Sequence, residues 1–442
     1  MSAARKRRIR AAKRIPSLRR LNWPELLALV GVAVAVSGWA WQAGLALVPA
    51  WRFAAGVLGL VGLALAVGIV RPQHRFELAM VLFGTCLSWL GTFGSPYLLP
   101  WGVAVGMVAL FRSQRDALLL LLPLMGWGGA VLGGGPLLSG ALGGAVLGLL
   151  AARARRAGDL LVTGVVSGGA AAAGALATWP TAGWIGIGTA ALSGPASIAV
   201  IAALLPLVER VIGRTSHLTL AELLSPSHPL LERLRLEAPG TYYHARDVAA
   251  LAEAGARALG GDPLLAAVGG LYHDIGKLMR PRFFAENQKG KNPHDELSPA
   301  MSRVILSSHV KDGTELGRQY GLRGDVLKHV VTHHGTGVMH AFSKRAADLG
   351  LSEDVFRYDS PLPDTQEAAV VMLADAVEAY ARGRDREDLA DVVDRVIADR
   401  REDGQLNGAP LTLADLTRLR RAFVEVLQGL AHRRAEGFPP PE

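Results

Sequence analysis

From residue 26 to residue 207 the chain is almost wholly Leu, Val, Ala, Gly and Trp, with charge confined to short gaps. The stretch breaks into apolar segments at about 26–48, 53–70, 77–94, 97–111, 117–133, 136–151, 160–178 and 183–207. Each approaches the roughly 17–25 residues a helix needs to cross the hydrocarbon core, the fourth to sixth being short. Glu77, at an edge, is the one Asp, Glu, Lys, Arg or His inside any of them. Ion and proton pathways place such residues within the membrane, so a coupled transporter is disfavoured. Gly- and Ala-rich runs such as GGAVLGLLAA and SGGAAAAGALA suit close helix packing.

The gaps set an orientation. Arg71 and Arg75, Arg112 and Arg115, Arg153, Arg155 and Arg156, and Arg210 and Arg214 fall in alternate gaps, while the intervening ones hold only Arg52 or Gly/Pro turns. Under the positive-inside rule this predicts an even number of spans with both termini in the cytoplasm. The first 20 residues hold nine Lys or Arg and no acid, which is the whole formal net charge of +9. The basic character therefore belongs to a tail that can touch anionic headgroups, and it makes no case for a nucleic-acid polymer as partner. The run after the tail is too long for the apolar core of a cleaved signal peptide. Cys86, the only cysteine, lies inside a span, which sets aside disulfides and thiolate metal sites.

Beyond residue 207 the acids and nearly all of the histidines appear, and the pattern turns amphipathic. TYYHARDVAALAEAGARALGG puts Val248, Leu251, Ala252, Gly255 and Leu259 at helical spacing and stops at Gly260 and Gly261. Pro263 opens the next helix, and Ser298 before Pro299 reads as an N-cap for one running through His309. Further helices are expected over 324–334, 364–382, 386–400 and 411–431. The fold class is all-α: a basic tail (1–24), a polytopic transmembrane bundle (25–207), a juxtamembrane linker (208–240) and a helical domain (241–435).

Five of these helices each carry imidazole or carboxylate: His244, the pair His273 and Asp274, His309, the pair His333 and His334, and Asp375. Asp375 sits in AAVVMLADAVEAYA, where an unpartnered carboxylate would be costly to bury. Nitrogen and oxygen donors converging from separate helices suit hard or borderline divalent metals. Asp274, with two oxygens, can serve two ions. His333 and His334 pose a difficulty, since neighbours on a helix point about 100° apart. Both serve only if the helix frays at Gly335 or they approach different sides of the cluster.

In these residues the sequence resembles the HD superfamily of metal-dependent phosphohydrolases. More narrowly it resembles the membrane-anchored group with seven transmembrane helices and an HDIG signature, whose characterised members are cyclic di-AMP phosphodiesterases. The matching stretches, over about residues 217–435, are HPLLERLRLEAPGTYYHA, VGGLYHDIGKLMRPRFFAENQ, NPHDELSP, SSHVKDGTELGRQYGL, HHGT, PDTQEAAVVMLADAVEA and DGQLNGAPLTLADL. The resemblance implies two divalent ions, iron or manganese. One is held by His244, His273, Asp274 and Asp375, the other by Asp274, His309, His333 and His334. It implies a cyclic dinucleotide substrate hydrolysed at the cytoplasmic face of the cell membrane, and leaves a homodimer open. Lys277, one turn past His273, is the candidate to neutralise a phosphate oxygen. Arg280 and Arg282 are expected to bind substrate, on a basic rim with Lys289 and Lys291. Phe283 and Phe284 are read as stacking or core residues, and His294 as a phosphate contact or a loop cap. Tyr243, Ala245 and Ala376 depart from the group's usual residues without removing a ligand. Relatives of this group carry a large extracytoplasmic domain after the first span, where only residues around Pro49 to Arg52 intervene here.

Overall fold

A computed structural model describes residues 80, 95–98, 101–131, 134–339, 352–382 and 389–435. The segments expected at 26–48 and 53–70, and nearly all of 77–94, lie outside the described residues. The chain divides into two compact units, Met1–Leu207 and Val208–Glu442.

The first unit contains α1 (Trp101–Phe111), α2 (Gln114–Val131), α3 (Gly134–Ala151), α4 (Ala157–Ala177) and most of α5 (Trp179–Ile212). Among the described residues α3, α4 and α5 are long and apolar enough to cross a membrane, whereas α1 is shorter. The helical backbone of α5 is interrupted at Gly183, close to the start read from the sequence. Small residues bring α3 and α4 together: Ser139 Oγ donates to the Ala171 carbonyl and Ser167 Oγ to that of Gly143, both at 2.9 Å. The outward side of α4 carries Leu161, Val162, Val165 and Val166, all exposed. Small polar residues inside and large apolar ones outside invert the soluble pattern, as a bundle packed in lipid requires.

The second unit is helical. Its elements are α6 (His217–Leu223), α7 (Pro229–Glu237), α8 (Pro239–Leu259), α9 (Pro263–Tyr272), α10 (Pro299–Gln319), α11 (Gly324–Thr332), α12 (Gln366–Ala381), α13 (Leu389–Glu402) and α14 (Leu413–Ala435). Short 3-10 turns fill 275–296, and the one β contact among the described residues is an isolated bridge between Val338 and Arg357. The central helix is α8, because its apolar positions face two ways. Tyr242, Ala245 and Ala249 join a cluster with Leu220, Leu230, Leu234, Tyr272 and Val326. Val248, Leu251, Ala252 and Ala256 join a second with Val370, Leu373, Val393, Leu419 and Phe423. Full burial of each Leu or Phe contributes about 1.5–3 kcal/mol, so these clusters fix the helices that carry the polar centre. The stretch read as a linker, 208–240, contains α6 and α7, whose Leu220, Leu223, Leu230, Leu231 and Leu234 lie in the first cluster.

One helix outruns its sequence reading. α10 continues ten residues past His309, since Val310, Gly313, Leu316 and Gly317 keep its buried face in register. Gly313 and Gly317 look like breakers in sequence; here they are points of close packing, Gly313 against Gly276 and Gly317 against Leu327.

Candidate metal centre

Local chain geometry aims each polar side chain. Asp262 caps α9 by accepting from the Leu264 and Leu265 N–H groups, and the helix ends at Tyr272. His273 follows as its C-cap, and Asp274 turns the chain into the 3-10 segment Ile275–Met279. Gly276 lies so close to α10 that a Cβ there would meet the His309 carbonyl oxygen at 1.8 Å. Absence of a side chain at this position thus lets His309 reach Asp274. α11 stops at Thr332, His333 is its C-cap, and Gly335 takes φ +51°. Leaving the helix there resolves the 100° difficulty: the rings of His333 and His334 lie 4.0 Å apart and join the same group of donors.

The structure brings together all seven residues. Asp274, His309, His333 and His334 present ligand atoms within 4.8 Å of one another, as do His244, His273 and Asp375. Asp274 stands between the two groups. Its Oδ1 lies 3.4 Å from His309 Nε2 and 3.6 Å from His333 Nε2. Its Oδ2 lies 3.1 Å from His273 Nε2 and 3.6 Å from His244 Nε2. Asp375 Oδ1 lies 3.1 Å from His244 Nε2 and 3.6 Å from His273 Nε2.

Orientation of the rings is fixed from behind. The Nδ1–H groups of His273, His309 and His333 donate to the carbonyls of Gly270, Leu306 and Val330, each three residues earlier, at 2.7, 2.5 and 2.9 Å. His244 Nδ1 instead donates to Glu378 Oε2 at 2.5 Å. In every case Nε2 points into the centre, the orientation a metal-binding imidazole needs.

Burial and charge set the protonation states. Burial, reinforced by the neighbouring histidines, pushes His333 down to about 3 and His334 well below its ordinary range, and burial lowers His309 as well. Burial also opposes the His273 imidazolium, but the charges of Asp274 and Asp375 outweigh it and hold that group up at about 10. Burial likewise disfavours both carboxylates, yet the imidazoles beside them, and Lys277 in the case of Asp274, keep Asp274 and Asp375 well below the usual range.

Two atoms at the middle, His273 Nε2 and Asp274 Oδ1, are buried without a hydrogen bond. Leaving such groups unpaired costs about 1–3 kcal/mol each, more when charged. Two adjoining sets of imidazole nitrogen and carboxylate oxygen, each holding one of these unpaired atoms, fit divalent first-row cations.

The other candidates are distributed around this centre. Lys277 Nζ is 2.7 Å from Asp274 Oδ2 and 2.8 Å from Glu286 Oε1, and lies over the Phe284 ring. Burial works against its ammonium, but those two carboxylates raise its pKa above the ordinary lysine value. Arg280 pairs with Asp312 at 2.7 Å, and Arg282 lies over the Phe283 ring. Both line a separate cavity of about 770 Å3 with Met279, Glu286 and Lys289. Phe284 is buried edge-on to His309, and His294 Nε2 bonds the Phe283 carbonyl at 2.9 Å, tying the loop. Sequence reading did not single out Glu378, Glu286 or Tyr358. Tyr358 stacks on His334 with ring centres 4.0 Å apart and planes 20° from parallel.

Comparison with known proteins bears on the same region. Residues 241–380 match the HD domain. The cyclic-di-AMP phosphodiesterase PgpH of Bacillus subtilis (strain 168) is 39% identical over 251 residues, 55% of this chain and 35% of that protein. PgpH of Listeria monocytogenes serotype 1/2a (strain 10403S) is 37% identical over 256 residues, 57% of this chain and 36% of that protein. The chain thus spans about a third of the length of these curated relatives. A crystal structure of the L. monocytogenes PgpH HD domain in complex with cyclic di-AMP shares 38% identity, with a TM-score of 0.45 over 47% of this chain and 99% of that one. With its paired His and Asp residues inside the matched region, this chain contains an HD domain over residues 241–380.

Proposed function

We propose that the chain is a membrane-bound phosphodiesterase that hydrolyses cyclic di-AMP to 5′-pApA at the cytoplasmic face. In this reading residues 1–24 are a basic tail, 25–207 the membrane region and 241–435 the catalytic domain, both termini being cytoplasmic. Two divalent ions, iron or manganese, are held by His244, His273, Asp274 and Asp375, and by Asp274, His309, His333 and His334. When bound, such a pair supplies Lewis acidity that activates water and neutralises charge during in-line displacement at phosphorus.

The observation that carries the reading is the position of Asp274, whose two oxygens face the two donor sets separately. The remaining residues hold and neutralise. Imidazoles anchored at Nδ1 cannot rotate away, so the donor set is preorganised. Lys277 uses two of its three N–H groups on Asp274 and Glu286, and keeps one for a phosphate oxygen. Arg280, Arg282 and Lys289 give the neighbouring cavity a cationic wall suited to a second phosphate. In the reaction water adds across one P–O3′ bond, freeing a 3′-hydroxyl and leaving a 5′-phosphate. The name borne by the two curated relatives supports cyclic di-AMP as substrate.

The test is turnover by the full chain in detergent with Mn2+ and a panel of cyclic dinucleotides. Cyclic di-AMP is expected to give 5′-pApA, and Asp274→Ala to reduce the rate to background. Hydrolysis of another dinucleotide in its place would move the substrate assignment. Tight binding with no turnover of any would make the chain a receptor.

A further inference from the structure

Among the four histidines whose Nδ1 is anchored, His244 is the exception. The other three lean on main-chain carbonyls, neutral acceptors supplied by the turn of helix just before them. His244 leans on a carboxylate from another element. Asp375 and Glu378 lie one turn apart on α12 and grip the ring from both sides, Asp375 Oδ1 at 3.1 Å from Nε2 and Glu378 Oε2 at 2.5 Å from Nδ1. Glu378 is buried, and its charge is compensated by Arg382 one turn further along, whose Nη2 approaches Oε2 to 2.7 Å. Arg382 in turn faces a cavity of about 670 Å3, lined also by Tyr243, Asp247, Glu286 and His244 itself.

Burying a carboxylate is expensive, and ring orientation alone does not demand one, as the other three histidines show. A carboxylate on Nδ1 does something a carbonyl does less well: it draws the N–H proton toward itself and makes Nε2 the more electron-rich donor. We propose that Glu378 is a positioning residue that strengthens His244 as a ligand, so that the set formed by His244, His273 and Asp375 holds its cation more tightly than main-chain anchoring would allow. Arg382, bound to Glu378 Oε2, holds the carboxylate aimed at the ring. The inference rests on the two-metal reading above.

Elemental analysis and Mn2+ titration calorimetry on the full chain in detergent test it without recourse to activity. Wild type is expected to bind two ions per chain. Glu378→Gln, nearly the same shape and still able to accept from Nδ1–H, should weaken one of the two sites by about 10- to 100-fold and leave the other within about twofold. Glu378→Asp, which keeps the charge on a shorter arm, should recover part of the loss, a rescue that packing alone would not give. Arg382→Ala should fall between wild type and Glu378→Gln. Two sites of unchanged affinity in Glu378→Gln would overturn the role of Glu378 and leave the two-metal reading intact. No metal bound by wild type would instead overturn the two-metal reading.

Discussion

At the residue scale the five imidazoles of the centre are held in three ways, and His334 shows the third. It has neither a main-chain carbonyl nor a carboxylate on its ring among the contacts described; its flat face lies on Tyr358 at 4.0 Å. Such stacking fixes the plane of a ring without fixing its rotation in that plane, so His334 is the ligand whose aim depends most on a neighbour's surface. Tyr358→Phe keeps the surface and should leave Mn2+ affinity within about twofold, an aromatic contact being worth about 0.5–1.5 kcal/mol. Tyr358→Ala removes it and should weaken binding at the set containing Asp274, His309 and His333 by about 3- to 10-fold, read by calorimetry. Legibility in sequence follows the same division. His273, Asp274, His333, His334 and Asp375 stand out because imidazole pairs, or an acid in an apolar run, are chemically conspicuous. Glu378 and Tyr358 are not, since an acid one turn along a helix and a tyrosine in a loop carry no local mark of the side chain they touch.

At the scale of elements, what decides the centre is how closely backbones approach. Gly276 and α10 are the tightest case, because the atoms a new Cβ would meet, the His309 carbonyl oxygen at 1.8 Å and the Gly313 nitrogen at 2.5 Å, are main chain and cannot turn aside. Gly276→Ala must displace α10 and His309 with it. It should cost about 1–3 kcal/mol, or more, and abolish binding of one of two metals, measured by calorimetric unfolding and elemental analysis. Gly429→Ala is the contrast: it lies on the exposed side of α14 with nothing within 4 Å of the new carbon, and should stabilise the same unit by about 0.5–1 kcal/mol. The helices themselves were largely readable from periodicity, and the cap at Ser298 and the start at Pro263 from residue type. The overrun of α10 was not readable, because Gly313 and Gly317 carry the same letter whether they end a helix or let another pack against it. Nor was the packing of 208–240, where Leu220 and Leu223 of α6 and Leu230, Leu231 and Leu234 of α7 show only in three dimensions that they share a core with α8 and α9.

At the scale of the molecule, charge and aromatic placement bear on orientation in the bilayer. Arg112, in the turn between α1 and α2, and Arg115, at the start of α2, lie at one end of these helices, and the turn between α3 and α4 carries Arg153, Arg155 and Arg156, whereas the junction of α4 and α5 has no charged residue. At the start of α5, Trp179 and Trp184 meet edge to face, ring centres 4.6 Å apart, both exposed. Amphipathic indoles favour the headgroup level, and arginine-rich turns stay on the cytoplasmic side. Ser113, in the turn between α1 and α2, is therefore expected inside and Thr181, at the start of α5, outside, and both are exposed. Single cysteines at these positions, in a chain whose Cys86 is replaced by Ala, make the expectation measurable with a membrane-impermeant maleimide. Thr181→Cys should react in intact cells; Ser113→Cys should react only after lysis. The reverse pattern would put α5 through the membrane in the opposite sense, delivering its C-terminal end, and the metal-binding unit that follows it, to the side away from cytoplasmic nucleotides. Turnover of cyclic di-AMP in the cell would then be excluded whatever the purified chain can do, which makes this labelling the measurement on which the physiological substrate most depends.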